Sequence, residues 1–556
     1  MTGRTSPRLP ATAQALRGLR SAVRRRRVGP WHALVETFAA DGVEGWVEVP
    51  HGAPPVRVAL CVGDEEVGAT HACDRVERAA EGEVRGFSFL LRDLWQFVGT
   101  GDRLSVRIDA APVPIAGRGL MLVPGRDGEH DLAELTRRRE AGLVFDRFGA
   151  LRLSKRLDLP WQSTVLGLYA RAAAVLEAER GLDVFLVYGT LLGAVRDGGF
   201  IGHDDDFDCA YVSPLTDPRE VVAELQQIAC LLIEHGLDVD CRAQLLHLHD
   251  ADDPSIRIDL FHLFFDETGT LCYPWGAAGT TSLQRADWQG VREIEFAGGP
   301  ALVPVGAEQL IEVLYGSDWR LPVPGFSWVR EKRVESIEAR VPWEVRQEVR
   351  WFRAHTRTVH DQPSPFCLAL LERTDLPGVV VDLGCGDGRD AVAMAAAGRS
   401  VVGVDRSTAG VGRAAARATE LGVADRAEFA VVDLGVPASV VEVLERARER
   451  AAGGPLLLHA RFLLHAVAQE VQDALLEVLR GHTRPGDVLA AELRTNADRG
   501  RHKAFPGVWR RLQDGPALGR RLVEDGFVLI EEREGTGLAA YGVEDPVVYR
   551  VLARRR

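Results

Sequence analysis

Aspartate residues crowd together in the middle of the chain, at Asp204, Asp205, Asp206 and Asp208. Carboxylates this close repel one another, so a fold that gathers them needs a compensating cation. Side chains alternate along an extended segment, which would place Asp204, Asp206 and Asp208 on one face. Such a face suits Mg²⁺ or Mn²⁺, cations that take carboxylate oxygens together with substrate phosphates.

A further acid, Asp259, lies inside the apolar and β-rich run Ile256–Phe261. An acid in such a run is unfavourable unless it is paired or bound to a metal. We therefore expect Asp259 on a strand beside the acidic cluster, as a third metal ligand. The alternative, a solvated acidic loop, accounts for the cluster alone but poorly for Asp259 or for the glycine-rich segment before the cluster.

Several motifs around these acids occur in a fixed order. They are Tyr188-Gly-Thr-Leu-Leu-Gly-Ala-Val-Arg196, Gly199-Phe-Ile, the Asp-Asp-Asp-x-Asp block, Ile258-Asp259-Leu-Phe, Leu314-Tyr315-Gly316, Asp318-Trp319 and Pro322. Together they resemble the LicD family, which includes the fukutin-related proteins and belongs to the nucleotidyltransferase-fold superfamily. One position departs from the resemblance, since His203 stands where the family more often has Trp.

The resemblance implies transfer of a phosphorylated group from a nucleotide-diphosphate donor to a glycan. Phosphoryl transfer requires charge neutralisation and positioning more than covalent catalysis, which agrees with an acidic, glycine-rich site. By this reading Gly189 and Thr190 let the backbone approach the donor phosphates, and Arg196 is either a basic clamp or a surface arginine. The metal ligands are Asp206, Asp208 and Asp259, with Asp204 as a further catalytic ligand or orienting group.

A second chemical motif lies in the last third of the chain, where a buried strand runs into a glycine turn. The motif contains Asp382, Gly384, Gly386 and Gly388, and the next predicted strand ends at Asp405, seventeen residues after Gly388. An acid at the tip of a second parallel strand can accept hydrogen bonds from both ribose hydroxyls of a nucleoside. The setting therefore predicts a nucleoside-containing cofactor.

The pattern Asp382-x-Gly-x-Gly-x-Gly resembles the first motif of class I S-adenosylmethionine-dependent methyltransferases. The resemblance implies that Asp382 and Gly384 lie near the methionine part of the cofactor, Asp405 near ribose and Asp433 near adenine. It also implies a seven-stranded sheet ending in an antiparallel strand pair at Phe527–Glu531 and Val547–Leu552.

Two histidines, His459 and His465, lie where such enzymes place residues that face the methyl acceptor. Imidazole titrates near neutral pH, so His459 could deprotonate an acceptor hydroxyl. The alternative is that either histidine is a packed or capping residue.

The elements that must position these residues alternate in type along the chain. Period-two runs with regular turns predict an N-terminal β-sandwich-like module, an accessory domain or a spacer. Alternating strands and helices predict a nucleotidyltransferase-like α/β domain and then a Rossmann-like methyltransferase domain. The expected boundaries are 1–30 for a basic tail, 31–120 for the β-module, 121–349 for the LicD-like domain and 350–556 for the methyltransferase.

Composition excludes several classes of protein. The chain has 556 residues with a formal net charge of −13, which argues against a nucleic-acid partner for the whole protein. The chain contains no apolar run long enough for a membrane span, and its eight scattered cysteines favour a reducing, cytoplasmic location. Residues 1–30 hold eight arginines and no acid, so they form either a solvated tail or a contact with an anionic membrane surface.

These observations predict a bifunctional enzyme of cell-surface glycan biosynthesis. One domain would transfer a phospho-substituent to a glycan or lipid-linked glycan, and the other would methylate the same glycan. In a rival hypothesis the methyltransferase modifies the transferred head group. In a third, one of the two α/β domains is a binding or scaffold module without activity.

Overall fold

The computed structural model describes residues 27–28, 31–40, 42–79, 82–323, 326, 339–357, 362–503 and 509–556. It divides into two compact units, Met1–Leu225 with Gln244–Arg340, and Gln226–Ala243 with Val341–Arg556. Most of the basic tail predicted at residues 1–30 lies outside the described residues. The predicted class, a mixed α/β multidomain protein with a strand-rich N-terminal region, is confirmed.

The N-terminal region consists of two sheets that share one apolar core. Their orders are β1-β2-β3-β7-β6 and β5-β4-β8-β9. Val35 and Val47 from the first sheet and Val58 and Val106 from the second are fully buried in that core. The strands are β1 (Arg27–Val28), β2 (Trp31–Phe38), β3 (Val43–Val49), β4 (Val56–Val62), β5 (Glu65–Ala72), β6 (Asp74–Ala79), β7 (Gly82–Phe89), β8 (Leu104–Ile108) and β9 (Ala111–Pro112).

A helix, a short hairpin and a long helix follow the β-module. They are α1 (Leu132–Glu140), the hairpin strands β10 (Leu143–Phe145) and β11 (Leu151–Leu153), and α2 (Leu159–Arg180). The Asp158 side chain accepts a hydrogen bond from the backbone N–H of Trp161 and so caps the start of α2. Gly181 ends the helix in the left-handed conformation, with φ +64°.

The next sheet carries the acidic cluster. Six of its strands follow the order β15-β16-β13-β12-β19-β18, and β17 pairs with β16. The strands of this region are β12 (Phe185–Leu186), β13 (Asp208–Ser213), β14 (Asp238–Cys241, which belongs to the second unit), β15 (Leu245–His249), β16 (Arg257–Phe265), β17 (Leu271–Cys272), β18 (Val291–Phe296) and β19 (Gly299–Pro304). Its helices are α3 (Tyr188–Leu192), continued by a π-turn to Asp197, α4 (Pro218–Glu234) and α5 (Ala307–Tyr315).

The second unit contains a seven-stranded sheet in the order β22-β21-β20-β23-β24-β26-β25. Its first five strands in sequence are parallel, and the last two form the antiparallel pair that the sequence predicts. The strands are β20 (Val379–Leu383), β21 (Ser400–Asp405), β22 (Ala427–Val431), β23 (Leu456–Arg461), β24 (Val488–Arg494), β25 (Phe527–Gly535) and β26 (Val548–Arg555). The helices are α6 (Trp343–Arg357), α7 (Pro365–Leu371), α8 (Arg389–Ala396), α9 (Thr408–Glu420), α10 (Pro437–Arg450), α11 (Gln469–His482) and α12 (Gly515–Glu524).

A buried ion pair joins α10 to the strands of this sheet. The Asp487 carboxylate is fully buried and accepts two hydrogen bonds from Arg448, at 2.7 and 2.6 Å. It also accepts hydrogen bonds from the backbone N–H groups of Leu456 and Arg484. Asp487 therefore satisfies donors at the end of α10, at the start of β23 and in the turn before β24.

We expect Asp487→Asn to destabilise the second unit by about 3–5 kcal/mol, because it leaves a buried guanidinium without its counter-charge. Urea unfolding of the full chain, with hydrogen exchange of the peptides around β23 and β24, measures the loss. The matched control is Asp425→Asn, whose side chain is 70% exposed and should change stability by less than about 0.5 kcal/mol. Equal stability of the two variants would contradict the assigned role of the pair.

Candidate active sites

Strand pairing brings the distant acids of the first unit together. β13 and β16 run parallel, with Asp208 directly opposite Asp259 in the register. The backbone N–H of Asp259 donates to the carbonyl of Phe207 at 2.8 Å, which extends the pairing to the end of the acidic segment. The expectation that Asp259 lies on a strand beside the cluster is therefore met by the geometry.

The turn at the start of α3 packs directly against these acids. The backbone N–H of Gly189 donates to Asp208 Oδ2 at 3.1 Å, and the backbone N–H of Asp208 donates to Thr190 Oγ1 at 2.7 Å. A Cβ atom at Gly189 would lie 2.3 Å from Asp204 Oδ2, so only glycine fits this position. Gly189 and Thr190 thus lie at the acid cluster, where the sequence places the donor phosphates.

The crowding of acids perturbs their protonation. Burial, reinforced by the charge of Asp206, raises the pKa of Asp204 to about 7. The same two causes raise the pKa of Asp259 to about 7. Burial and the charges of Asp206, Asp204 and Asp259 hold the pKa of Asp208 well above its ordinary value. A bound cation would lower these pKa values, because it favours the ionised forms.

The carboxylates are close enough to share a metal ion. Asp204, Asp205 and Asp206 offer oxygen atoms within 4.8 Å of one another. This group overlaps the predicted ligand set of Asp206, Asp208 and Asp259 only at Asp206, and Asp205 was not expected to take part. Oxygen donors on a charged, half-buried surface fit a hard divalent cation.

Two arginines and a histidine face the same acids. Arg147 Nη1 donates to Asp206 Oδ2 at 2.6 Å, and its Nη2 lies 3.3 Å from Asp205 Oδ1. Arg257 Nε donates to Asp259 Oδ1 at 3.2 Å, and its Nη2 lies 3.7 Å from Asp206 Oδ1. His247 Nε2 lies 3.6 Å from Asp259. None of these three was predicted, although Arg257 stands two positions before Asp259, a spacing that places both on one face of a strand.

Arg196 is paired with its neighbour in the chain. Its Nε donates to Asp197 Oδ1 at 2.8 Å, and the side chain is only 12% exposed. The alternative of an ordinary surface arginine is thus not the arrangement found. Burial together with the charges of Asp208 and Asp204 raises the pKa of Tyr315, and the charge of Arg196 opposes that shift. The structure brings Arg196 near the site without placing it on a carboxylate of the cluster.

The glycine turn of the second unit has the backbone that its sequence requires. Gly384, Gly386 and Gly388 have φ angles of +74°, +56° and +75°, a region that favours glycine. A Cβ atom at Gly388 would lie 2.5 Å from the Cβ of Ala414 on α9. The turn can therefore lie close to the start of α8 and α9 only because it has no side chains at these positions.

The acids after the neighbouring strands lie around this turn. Asp405 Oδ2 accepts a hydrogen bond from the backbone N–H of Gly386 at 2.9 Å, and its Oδ1 accepts one from Ser407 at 2.8 Å. Asp433 is exposed after β22, and its Oδ1 accepts a hydrogen bond from the backbone N–H of Gly435. The structure thus places Asp405 on the glycine turn and Asp433 at the end of the adjoining strand.

Both histidines are buried. His459 is 1% exposed, its Nδ1 lies 2.7 Å from Asp382 Oδ1, and the ring of Phe366 stacks on it at 5.6 Å. Burial opposes protonation of His459, but the adjacent Asp382 outweighs it and raises the pKa. His465 Nδ1 accepts a hydrogen bond from the backbone N–H of Arg494. These contacts favour a positioning role for His459, which ties down the acid of the glycine motif, over direct contact with a methyl acceptor.

Comparison with protein families assigns both α/β regions. Residues 181–305 match the LicD/FKTN/FKRP nucleotidyltransferase domain, and residues 355–532 match a methyltransferase domain. The chain joins a LicD domain to a methyltransferase domain. Both expected resemblances are confirmed. Each of the two matched domains belongs to a family of transferases. A search of curated proteins gives no match.

Solved structures similar to this chain include methyltransferases of low sequence identity. A S-adenosylmethionine-dependent methyltransferase from Anabaena variabilis is 15% identical over 38% of this chain and 93% of its own, with a TM-score of 0.30. The magnesium protoporphyrin IX methyltransferase of Synechocystis with bound S-adenosylmethionine is 17% identical over 38% and 84%, with a TM-score of 0.25. A glycopeptide N-methyltransferase is 17% identical over 35% and 97%, with a TM-score of 0.27.

The helices of the described ranges do not combine the length and the apolar composition that crossing a bilayer requires.

The acid cluster, the Gly189 turn and β16 all fall inside the LicD match, and the glycine turn, Asp405 and His459 fall inside the methyltransferase match. Arg147 stands outside both matches.

The raised pKa of Asp204 predicts a pH-dependent stability of the metal-free protein. In the folded LicD domain Asp204 keeps its proton up to about pH 7, whereas an unfolded chain loses it near pH 3.9. The folded state binds more protons in this window, so its stability falls as the pH rises. Asp204→Asn mimics the protonated acid and should raise the melting temperature in EDTA by about 2 °C or more at pH 8, and by a clearly smaller amount at pH 5, where the folded state still keeps the proton of Asp204. The control is Asp252→Asn, which changes an acid on an exposed turn. If Asp204→Asn changes the melting temperature equally at both pH values, the raised pKa of Asp204 is contradicted.

Proposed function

We propose that the LicD domain transfers a phosphorylated group from a nucleotide-diphosphate donor to a glycan or lipid-linked glycan. The observation that carries the proposal is the register of β13 and β16, which sets Asp208 opposite Asp259 beside the Gly189 turn. Acids from two parallel strands and a close-approaching backbone are what a metal-assisted reaction on phosphates needs. The LicD match supports the same class of reaction.

A divalent cation, Mg²⁺ or Mn²⁺, fits the residues of this site. Asp206, Asp208 and Asp259 would hold it, with Asp204 as a further ligand and Asp205 close enough to contribute. When bound, such a cation supplies positive charge to the donor phosphates and to the developing transition state. Among the protein's own residues, Gly189 leaves space for the Asp204 carboxylate and so lets the backbone of the turn lie beside the proposed metal, Thr190 holds the backbone of Asp208, and Arg196 offers a nearby guanidinium.

The methyltransferase domain would methylate the same glycan with S-adenosylmethionine. Asp405 would accept hydrogen bonds from the ribose hydroxyls, Asp433 would lie near adenine, and Asp382 with Gly384 near the methionine part. The cofactor supplies the methyl group. Gly386 and Gly388 keep side chains away from the cofactor, and His459 holds Asp382 in place. The rival reading, methylation of the transferred head group, uses the same residues on a different acceptor.

The partners proposed here are a nucleotide-diphosphate-linked donor and a glycan acceptor, with no nucleic acid. We propose a cytoplasmic location, and the eight arginines within residues 1–30 favour contact with the anionic inner face of a membrane. A lipid-linked acceptor would be reached from that surface.

Asp206→Asn should abolish phosphoryl decoration while methylation continues, because the substitution removes a metal ligand from the LicD site only. Mass spectrometry of the surface glycan, in a deletion strain that expresses each variant, measures both groups at once. We expect the phospho-substituent to fall at least about 100-fold with Asp206→Asn and to remain with the exposed control Asp252→Asn. Retention of the substituent would reject the metal role of Asp206, and joint loss of the methyl group would favour methylation of the transferred head group.

Asp405→Ala should weaken S-adenosylmethionine binding by about 10-fold or more, since it removes a charge-assisted hydrogen-bond acceptor for ribose. Isothermal titration calorimetry with the full chain measures the affinity, and Mn²⁺ binding at the LicD domain should be unchanged. Asp425→Ala, at an exposed site in the same domain, serves as the control. Unchanged affinity in Asp405→Ala would remove Asp405 from the ribose role.

A further inference from the structure

Arg147 reaches the acid cluster from outside the family-matched region. It lies at the tip of the β10–β11 hairpin, before residue 181, where the LicD match begins. Its two terminal nitrogens contact different carboxylates, Asp206 at 2.6 Å and Asp205 at 3.3 Å. The side chain is 40% exposed, so the guanidinium occupies the open side of the cluster. A cation thus already occupies carboxylates that a metal would use.

The hairpin tip that carries Arg147 is rigidly built. Asp146 Oδ1 accepts hydrogen bonds from the backbone N–H groups of Phe148 and Ala150, at 2.9 and 2.8 Å. Asp146 Oδ2 accepts a further bond from Arg152 Nε at 3.0 Å. These bonds close the turn on both sides of Arg147 and fix the direction in which its side chain leaves the backbone.

The β-module holds this tip in place. The backbone N–H of Asp93 donates to the carbonyl of Gly149 at 2.8 Å, and Asp93 Oδ2 accepts a hydrogen bond from the backbone N–H of Leu151 at 3.0 Å. Gly149 has φ +75°, and a Cβ atom there would lie 2.4 Å from the backbone nitrogen of Arg92. Module and hairpin therefore touch along their backbones, and Arg147 is aimed at the acids from the module's edge.

The negative charge of the five acids gives Arg147 a function at the LicD site, because its guanidinium offsets part of that charge. With all five acids ionised, the form that a bound cation favours, the two guanidinium groups of Arg147 and Arg257 reduce their charge of −5 to a formal −3. One divalent cation reduces the formal charge to −1, and without Arg147 it would remain at −2. A diphosphate approaching the site is itself negative, so each cation beside the cluster favours its binding.

The contacts of Arg147 within the described part of the chain leave one of its hydrogen-bond donors unsatisfied. Its Nε atom is buried and has no hydrogen-bond partner among the described residues. An unsatisfied buried donor is unfavourable. A metal at Asp206 would compete with the guanidinium of Arg147 for the same carboxylate oxygens.

We infer that Arg147 is a substrate-binding residue of the LicD site: it holds Asp205 and Asp206 while the metal is absent and binds the donor diphosphate once the metal has replaced it there. The inference rests on the proposed phosphotransferase function. It gives the β-module a role in that function, because the module fixes the hairpin from which Arg147 extends.

The test uses two probes on the full chain, Mn²⁺ alone and inorganic pyrophosphate at saturating Mn²⁺. In Arg147→Gln, Mn²⁺ should bind about 3-fold more tightly or better, because a competing cation is gone. Pyrophosphate should bind about 10-fold more weakly, because a charge-assisted contact is lost. Arg147→Lys keeps the charge without the forked guanidinium and should be intermediate for pyrophosphate. Electron paramagnetic resonance measures the free Mn²⁺ concentration, and calorimetry measures pyrophosphate affinity. The control is Arg126→Gln, which changes an exposed arginine of the same unit.

The opposite signs of the two effects separate this role from a structural one. A structural defect would weaken both probes, and that result, or pyrophosphate affinity within twofold of the unsubstituted protein, overturns the inference. Gly149→Ala, which must displace the hairpin from the module, should reproduce the loss of pyrophosphate binding with every acid intact; wild-type affinity in this variant would overturn the role of the module. If the unsubstituted protein binds neither probe, the proposed phosphotransferase function fails and the inference with it.

Discussion

Mutual repulsion among five carboxylates at one end of a parallel strand pair constrains the whole first unit. The pairing of β13 with β16 forces Asp208 and Asp259 together, and the short segment before β13 adds three more acids. Several neighbouring groups offset this negative charge. The backbone N–H of Gly189 donates a hydrogen bond to Asp208 at a position where a Cβ atom would clash with Asp204. Arg147 and Arg257 place guanidinium groups on Asp206 and Asp259. Burial, together with the charge of Asp206, raises the pKa of both Asp204 and Asp259 to about 7.

How much of this could be predicted depends on how far apart in the chain the interacting groups lie. The acid cluster within Asp204–Asp208 can be predicted from the spacing of its residues. The strand position of Asp259 can be predicted from the apolar residues around it. Arg147 is not, since its contact with Asp206 spans fifty-nine positions and depends on a hairpin held by another module. No periodicity or motif around Arg147 distinguishes it from the many other arginines of this chain, and only tertiary structure brings it to the site.

The methyltransferase domain shows the same division. Its glycine turn follows from a local motif, and its seven-stranded sheet with an antiparallel end is what the resemblance to class I methyltransferases implies. His459, for which the sequence leaves open a base or a packed residue, is buried against Asp382, because the two residues occupy the same register position on neighbouring parallel strands. Aligning β20 with β23 at their carboxyl ends would have revealed this pair. A histidine at a strand end is therefore better judged against its neighbouring strands than from its position in the chain.

Buried acids are paired differently in the two domains. This difference fits methyl transfer in one domain and the proposed metal-assisted phosphoryl transfer in the other. In the methyltransferase domain each deeply buried acid has a specific partner: Asp382 has His459, Asp487 has Arg448, and Glu492 has Arg461 and Arg550. In the LicD domain five acids share two guanidinium groups, and one of these, Arg147, is held from a separate module with an unsatisfied Nε. A site that retains excess charge and a replaceable cation is arranged to exchange ions, which is what binding a metal together with a diphosphate requires.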